Sequence, residues 1–133
     1  MSDLSIGEVA QRAGLNTSAV RYYESIGLLP APNRQHGQRR YDVDIVQRLN
    51  LILFAQKAGF TLTEIKTLFE GFEPNTPAGD RWRTLASQKL AEVDELIRRA
   101  EQMKRLIELG MQCGCMRWED CQLINEQQPC NPT

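Results

Sequence analysis

The chain has no cysteine in its first 112 residues, a single histidine, and no apolar run near the length that crosses a bilayer. Each absence removes a class of protein. Without a long apolar run there is no membrane helix. Met1-Ser2-Asp3-Leu4-Ser5 also lacks the basic-then-apolar layout of a secretion signal, so a cytoplasmic location is expected. Cysteines absent from most of the fold cannot staple it as a disulfide scaffold. An excess of either charge is missing too: 16 Lys+Arg stand against 17 Asp+Glu, a formal net charge of −1. That balance excludes a polybasic tail and an acidic solvating segment, but not a basic face. What is present is globular in composition, with 41% hydrophobic and 25% charged residues. In 133 residues there is room for one modest domain, or a small head with an extended element.

The first seventy or so residues read as short helices around a basic hairpin. Ser5 and Glu8 have capping-box spacing, Ile6, Val9, Ala10 and Ala13 form a stripe, and Gly14 offers a left-handed stop. Asn16-Thr17-Ser18 offers the next cap, and the segment it opens ends at Gly27-Leu28-Leu29-Pro30. Two short helices joined by a Gly-containing turn match a helix-turn-helix, although a small helical bundle shares that spacing. Asn33 to Tyr41 reads as a β-hairpin, or wing, with His36 exposed at its tip. Between Arg12 and Arg48 six arginines face three acids, a local +3 suited to anchoring phosphates. Asp42 or Asp44 is expected to cap a third helix, and Thr61 or Thr63 a fourth.

Ile6-Gly7-Glu8-Val9-Ala10, Val20-Arg21-Tyr22-Tyr23-Glu24, Ile26-Gly27-Leu28-Leu29-Pro30, Arg39-Arg40-Tyr41 and Ala58-Gly59-Phe60-Thr61-Leu62-Thr63-Glu64-Ile65 closely resemble the MerR family of bacterial transcription regulators. The likeness runs over residues 5–70 and more loosely to about residue 124. It implies a winged helix-turn-helix whose recognition helix enters the major groove while the wing grips the backbone. Carried over position by position, the DNA-binding residues would be Thr17, Ser18, Arg21 and Tyr23 on the helix and Arg34, Arg39 and Tyr41 on the wing. Lys57, at the end of the third helix, would reach a flanking phosphate, and Gln38 stands where many relatives carry an aromatic.

Two prolines and a glycine make residues 72–80 a linker, after which Asp80 is expected to cap a helix from Arg81 to Leu109. Ala86, Leu90, Val93, Ile97, Ala100, Lys104 and Ile107 step alternately by four and three, a coiled-coil seam. A 70-residue head cannot bury a rod of about 40 Å, whereas a second copy can. A homodimer follows, presenting two heads to an inverted repeat in double-stranded promoter DNA. Family resemblance implies that the two helices pair antiparallel. It also implies that the dimer distorts an overlong promoter spacer so that RNA polymerase holoenzyme engages both elements.

The last segment holds Cys113, Cys115, Cys121 and Cys130. Thiolates suit copper(I), mercury, zinc or iron–sulfur clusters, and Gly114 lets Cys113 and Cys115 converge. Cys113-x-Cys115-x5-Cys121 resembles the last three ligands of the SoxR branch, whose [2Fe–2S] cluster takes four cysteines, but the remaining position is Gly110. Cys113 and Cys121, seven residues apart, with a later Cys130, resemble the CueR branch of soft-metal sensors. No cysteine stands near Ala78-Gly79-Asp80, where divalent-metal sensors of the family carry one. A thiol oxidoreductase is disfavoured because the thiols lack a Cys-x-x-Cys motif and a neighbouring histidine.

The expectation is therefore a mainly α chain: a winged helix-turn-helix head (1–71), a linker (72–80), an antiparallel coiled-coil dimerisation helix (81–109) and a cysteine-rich effector loop and tail (110–133). Cys113, Cys115 and Cys121, with Cys130 as a candidate fourth, would take copper(I), mercury or a similar thiophilic ion, or a [2Fe–2S] cluster. An effector-blind DNA binder with a structural zinc is the remaining alternative. Trp82 is expected to pack the linker onto the rod, and Trp118 to shield the loop.

Overall fold

The computed structural model describes residues 4–125, so Cys130 lies outside the described residues. In chain order the elements are α1 (Ile6–Ala13), α2 (Thr17–Ser25), β1 (Asn33–Gln35), β2 (Gln38–Arg40), α3 (Asp44–Lys57), α4 (Leu62–Glu70), α5 (Ala78–Met111) and α6 (Gln122–Asn125), with a 3₁₀ turn at Trp118–Asp120. The chain divides into two units, Met1–Lys89 and Leu90–Thr133, with the boundary inside α5.

In the first unit, α1 and α4 start on reciprocal capping boxes. Ser5 and Thr61 accept from the amides of Glu8 and Glu64, whose carboxylates accept from the cap amides in return. Gly14 ends α1 at φ +71°, a conformation in which a Cβ would be strained. Strands β1 and β2 pair antiparallel across His36 and Gly37, both at positive φ, which gives a tight two-residue hairpin turn. An isolated bridge between Leu4 and Tyr41 ties the start of the chain to the foot of this wing. Val9, Val20, Leu28, Tyr41, Leu49, Ile52 and Ile65 are wholly buried together, so the wing and all four short helices share one core.

Several expected boundaries shift. Asn16 caps α2 by its backbone position, without a side-chain cap. Neither Asp42 nor Asp44 occupies the cap of α3. Val43 does, already in helical conformation, and Asp44 sits in the first turn where its charge favours the positive helix end. Helix α5 begins at Ala78, ahead of the expected Asp80 cap. The Pro77 carbonyl accepts from the amides of Asp80 and Arg81, which places Asp80 in the first turn with its carboxylate 2.9 Å from Arg83. At the other end the helix continues to Met111, Gly110 notwithstanding.

In the second unit, Leu90, Leu96, Ile97, Met103, Leu106 and Ile107 of α5 are all more than half exposed, and no α5 residue is buried. Between Leu90 and Asn125, Cys121 alone is buried.

Candidate metal centre and nucleic-acid interface

The exposed face of α2 carries Ser18, Arg21 and Tyr22, with Thr17 half-buried at the first position. Arg34 is exposed on the wing and reaches back to the Gly37 carbonyl at 3.4 Å, while Lys57 is exposed at the end of α3. These residues have solvent-facing groups that can meet phosphate or a base edge.

Tyr23 and Tyr41 do not. Tyr23 is 8% exposed and its hydroxyl donates to Gln56 Oε1 at 2.9 Å. Tyr41 is 1% exposed and donates to Glu24 Oε1 at 2.6 Å, with Arg39 Nε 3.5 Å from the other oxygen. Burial, and then the Glu24 carboxylate, push the Tyr41 phenol far above its ordinary range, so it stays a donor. Both rings thus face into the head, with their hydroxyls turned to partners there. Each ring is large and apolar and fills the core, and its hydroxyl holds an element that does face outward. Glu24 joins the recognition helix to the wing through Tyr41 and Arg39. Arg39 consequently divides its charge between Glu24 and solvent.

Sequence reasoning passed over Tyr22, which is 51% exposed and stands one helical turn after Ser18. The i to i+4 step from Ser18 carried that signal. It also passed over Glu24 and Gln56 as supports, because their partners are 17 and 33 residues away.

Trp82 packs on Phe54 and Phe60, with ring centroids 5.7 and 5.1 Å away. It therefore seats the start of α5 on the head rather than the linker on the rod. Lys89 continues that seam, 2.9 Å from Glu64 Oε1 and over the Phe60 ring. Trp118 is 81% exposed and lines one cavity with Cys115 and Met116.

Beyond α5, the sulfurs of Cys113, Cys115 and Cys121 lie within 4.8 Å of one another. Cys113 is half-buried, Cys115 exposed and Cys121 buried. Cys121 stands just before α6, and the amide of Ile124 holds its thiol below the ordinary value, assisted by Cys115 and the Leu123 amide. The Cys115 thiol is raised, chiefly because it donates to Cys121. One proton shared in this way leaves Cys121 the readier thiolate.

A soft ion fits this donor set. With metal–thiolate bonds of about 2.3 Å, two sulfurs stand about 3.8 Å apart in a tetrahedral site and about 4.6 Å apart in a linear one. A four-thiolate cluster does not find its fourth sulfur among the described residues. A Cβ at Gly110 would meet Leu123 at an ordinary 3.9 Å, so a side chain fits there, but this chain has none.

Family models match the chain as "MerR HTH family regulatory protein" over residues 4–71 and "MerR, DNA binding" over residues 46–109. The transcriptional regulator HmrR of Rhizobium leguminosarum bv. viciae is 32% identical over 124 residues, covering 92% of this chain and 96% of its own. The transcription regulator PbrR691 from Ralstonia metallidurans CH34, solved in complex with lead(II), superposes with a TM-score of 0.72 at 30% identity, covering 94% and 99%. The dual-function regulator MerR from Bacillus megaterium MB1, solved with mercury(II), gives 0.68 at 25% identity, covering 93% and 98%.

Proposed function

The chain belongs to the MerR family of regulators, and from that membership we propose that it binds promoter DNA as a homodimer and changes transcription in response to a thiophilic metal ion. It is a transcription regulator, not an enzyme. The observation that carries the sensor half is the convergence of three sulfurs within 4.8 Å just past the end of α5.

Arg21, Ser18 and Tyr22 would enter the groove, with Thr17 at the start of the same helix. Arg34, Arg39 and Lys57 would take phosphates, and Tyr23 and Tyr41 would support the helix and wing from within. The exposed apolar stripe of α5 would be covered by a second copy, which sets two heads at a fixed separation on an inverted repeat. Cys113, Cys115 and Cys121 would hold the ion, with Cys121 supplying the thiolate most easily. A bound soft cation supplies bonds to these sulfurs far stronger than the hydrogen bond between Cys115 and Cys121. RNA polymerase holoenzyme at a distorted promoter would read the result, in the cytoplasm; no described helix is long and apolar enough to cross a membrane.

The test starts from anaerobically reduced protein. One copper(I), mercury(II) or lead(II) per site, without colour from iron and sulfide, is the expected result, together with metal-dependent transcription from the target promoter. Cys113→Ser and Cys121→Ser should each abolish that response while leaving operator binding intact. Unchanged induction in both variants overturns the sensor assignment. A brown protein with two irons and two sulfides per chain would place it with the redox branch, and tightly held zinc without induction would make it effector-blind.

A further inference from the structure

Two guanidiniums meet at Phe69. Arg81, in the first turn of α5, donates from Nη1 to the carbonyls of Phe69 (2.9 Å) and Leu68 (3.4 Å), and from Nε to Thr76 (3.0 Å). Its Nη2 donates to Glu73 (3.2 Å) and Pro74 (3.3 Å). These carbonyls belong to the last turns of α4 and to the loop that leads into α5. A guanidinium carries five N–H groups in a rigid planar fork, so this cradle occupies all three of its nitrogens.

The Arg48 guanidinium lies over the Phe69 ring, 3.8 Å from its centroid, and its Nε donates to the Leu28 carbonyl at 2.9 Å. Leu28 stands in the turn that closes α2, where its own amide donates to the Tyr23 carbonyl at 2.9 Å. A continuous path results: the first turn of α5, Arg81, Phe69, Arg48, Leu28, the end of α2. Every member lies in the first unit. Desolvating a cation against carbonyls and a ring is a poor source of stability, so geometry is the more informative reading of why charge stands there.

We infer that Arg81 and Arg48 are positioning residues that set the first turns of α5, within the first unit, against the end of the recognition helix, and that this setting selects the half-site spacing the dimer accepts. This rests on the proposed reading as a dimeric DNA binder, and it is independent of any metal. Contiguity alone does not establish coupling, so the test measures coupling directly.

The probe is an operator recovered by selection from random duplex DNA with the full-length protein, then rebuilt with its half-sites one or two base pairs closer or farther apart. Native protein should prefer its own spacing more than tenfold. Arg81→Lys and Arg48→Lys keep the charge but lose the fork. Each should reduce that preference to within about threefold while binding to a single half-site stays within twofold. The double variant should be no worse than either single one, because both break the same path. Amide exchange in the DNA-free variants supplies a second measurement: Arg81→Lys should speed exchange at Leu28 and Leu29 as well as in its own loop. Unchanged spacing preference, multiplicative single effects, or exchange confined to the 68–76 loop each overturns the inference. Loss of half-site binding in step with a lowered Tm does so too, by making the residue merely structural. Failure of metal to induce transcription, with the spacing result as expected, would sink the sensor reading and leave this one standing. Absence of any selected operator would instead sink the DNA-binding reading, with the exchange result still deciding whether the path exists.

Discussion

Compare the head with the cysteine loop. Fifteen of the sixteen buried side chains among the described residues lie between Leu4 and Leu68, whereas Cys121 alone is buried from Leu90 to Asn125. The head therefore has its own core and its own caps. The loop has one short 3₁₀ turn, a four-residue helix and three sulfurs. The two regions are held differently: the head rests on its own apolar burial, whereas the described loop has one buried side chain and a cluster of sulfurs.

Large-to-small substitutions in the two regions should differ most. Leu49 is wholly buried, and Leu49→Ala should cost about 2–5 kcal/mol, read from the denaturant midpoint of the head. Trp118 is a larger side chain but 81% exposed, so Trp118→Ala should stay within about 0.5 kcal/mol in metal-free protein. Comparable losses from the two would mean that a partner chain already covers the indole, and that the loop has a core of its own in the dimer.

A smaller effect tests how the head presents its DNA face. Tyr41→Phe keeps the buried ring and deletes only the hydroxyl that donates to Glu24. The acceptor is a carboxylate, so the expected loss is about 1.5–3 kcal/mol. Operator affinity should fall more than that of Trp118→Ala, because the wing loses its tie to α2. Full stability with weakened operator binding would instead show that the hydroxyl itself touches DNA.

The same contrast explains what could be read in advance. Helices α1, α2 and α4 were legible because caps, glycine stops and apolar spacing are local signals, and the wing because His36-Gly37 falls between two polar runs. The cysteine cluster was legible from spacing, since Cys113 and Cys115 flank a glycine and Cys121 is six residues on. Tyr23 and Tyr41 enter the expected DNA face through the family resemblance alone, and a tyrosine in either motif reads the same whether its ring points in or out. Only Gln56 and Glu24, distant in sequence, settle that direction. The neighbours of Trp82 are hidden for the same reason: Phe54 reaches it from α3 and Phe60 from the loop before α4.

The smallest effect concerns Glu64, which the capping box and Lys89 share. Its carboxyl is held below the ordinary value of 4.5, first by the Thr61 amide and then by the Lys89 ammonium. A depressed carboxyl stabilises the fold above its unfolded pKa, and that contribution disappears as pH falls through the folded one. Glu64→Gln preserves an N3 side chain able to accept from the cap amide, so it isolates the ion pair with Lys89. The Glu64 side chain is 31% exposed, and solvent screening should hold the loss near pH 7 below about 1 kcal/mol. Unfolding curves of the native and Glu64→Gln proteins should then converge as pH falls through the depressed folded value, where both side chains become neutral. A gap that persists in acid would assign the stabilisation to the cap hydrogen bond, and the seam from Lys89 to the head would rest on its packing over Phe60 instead.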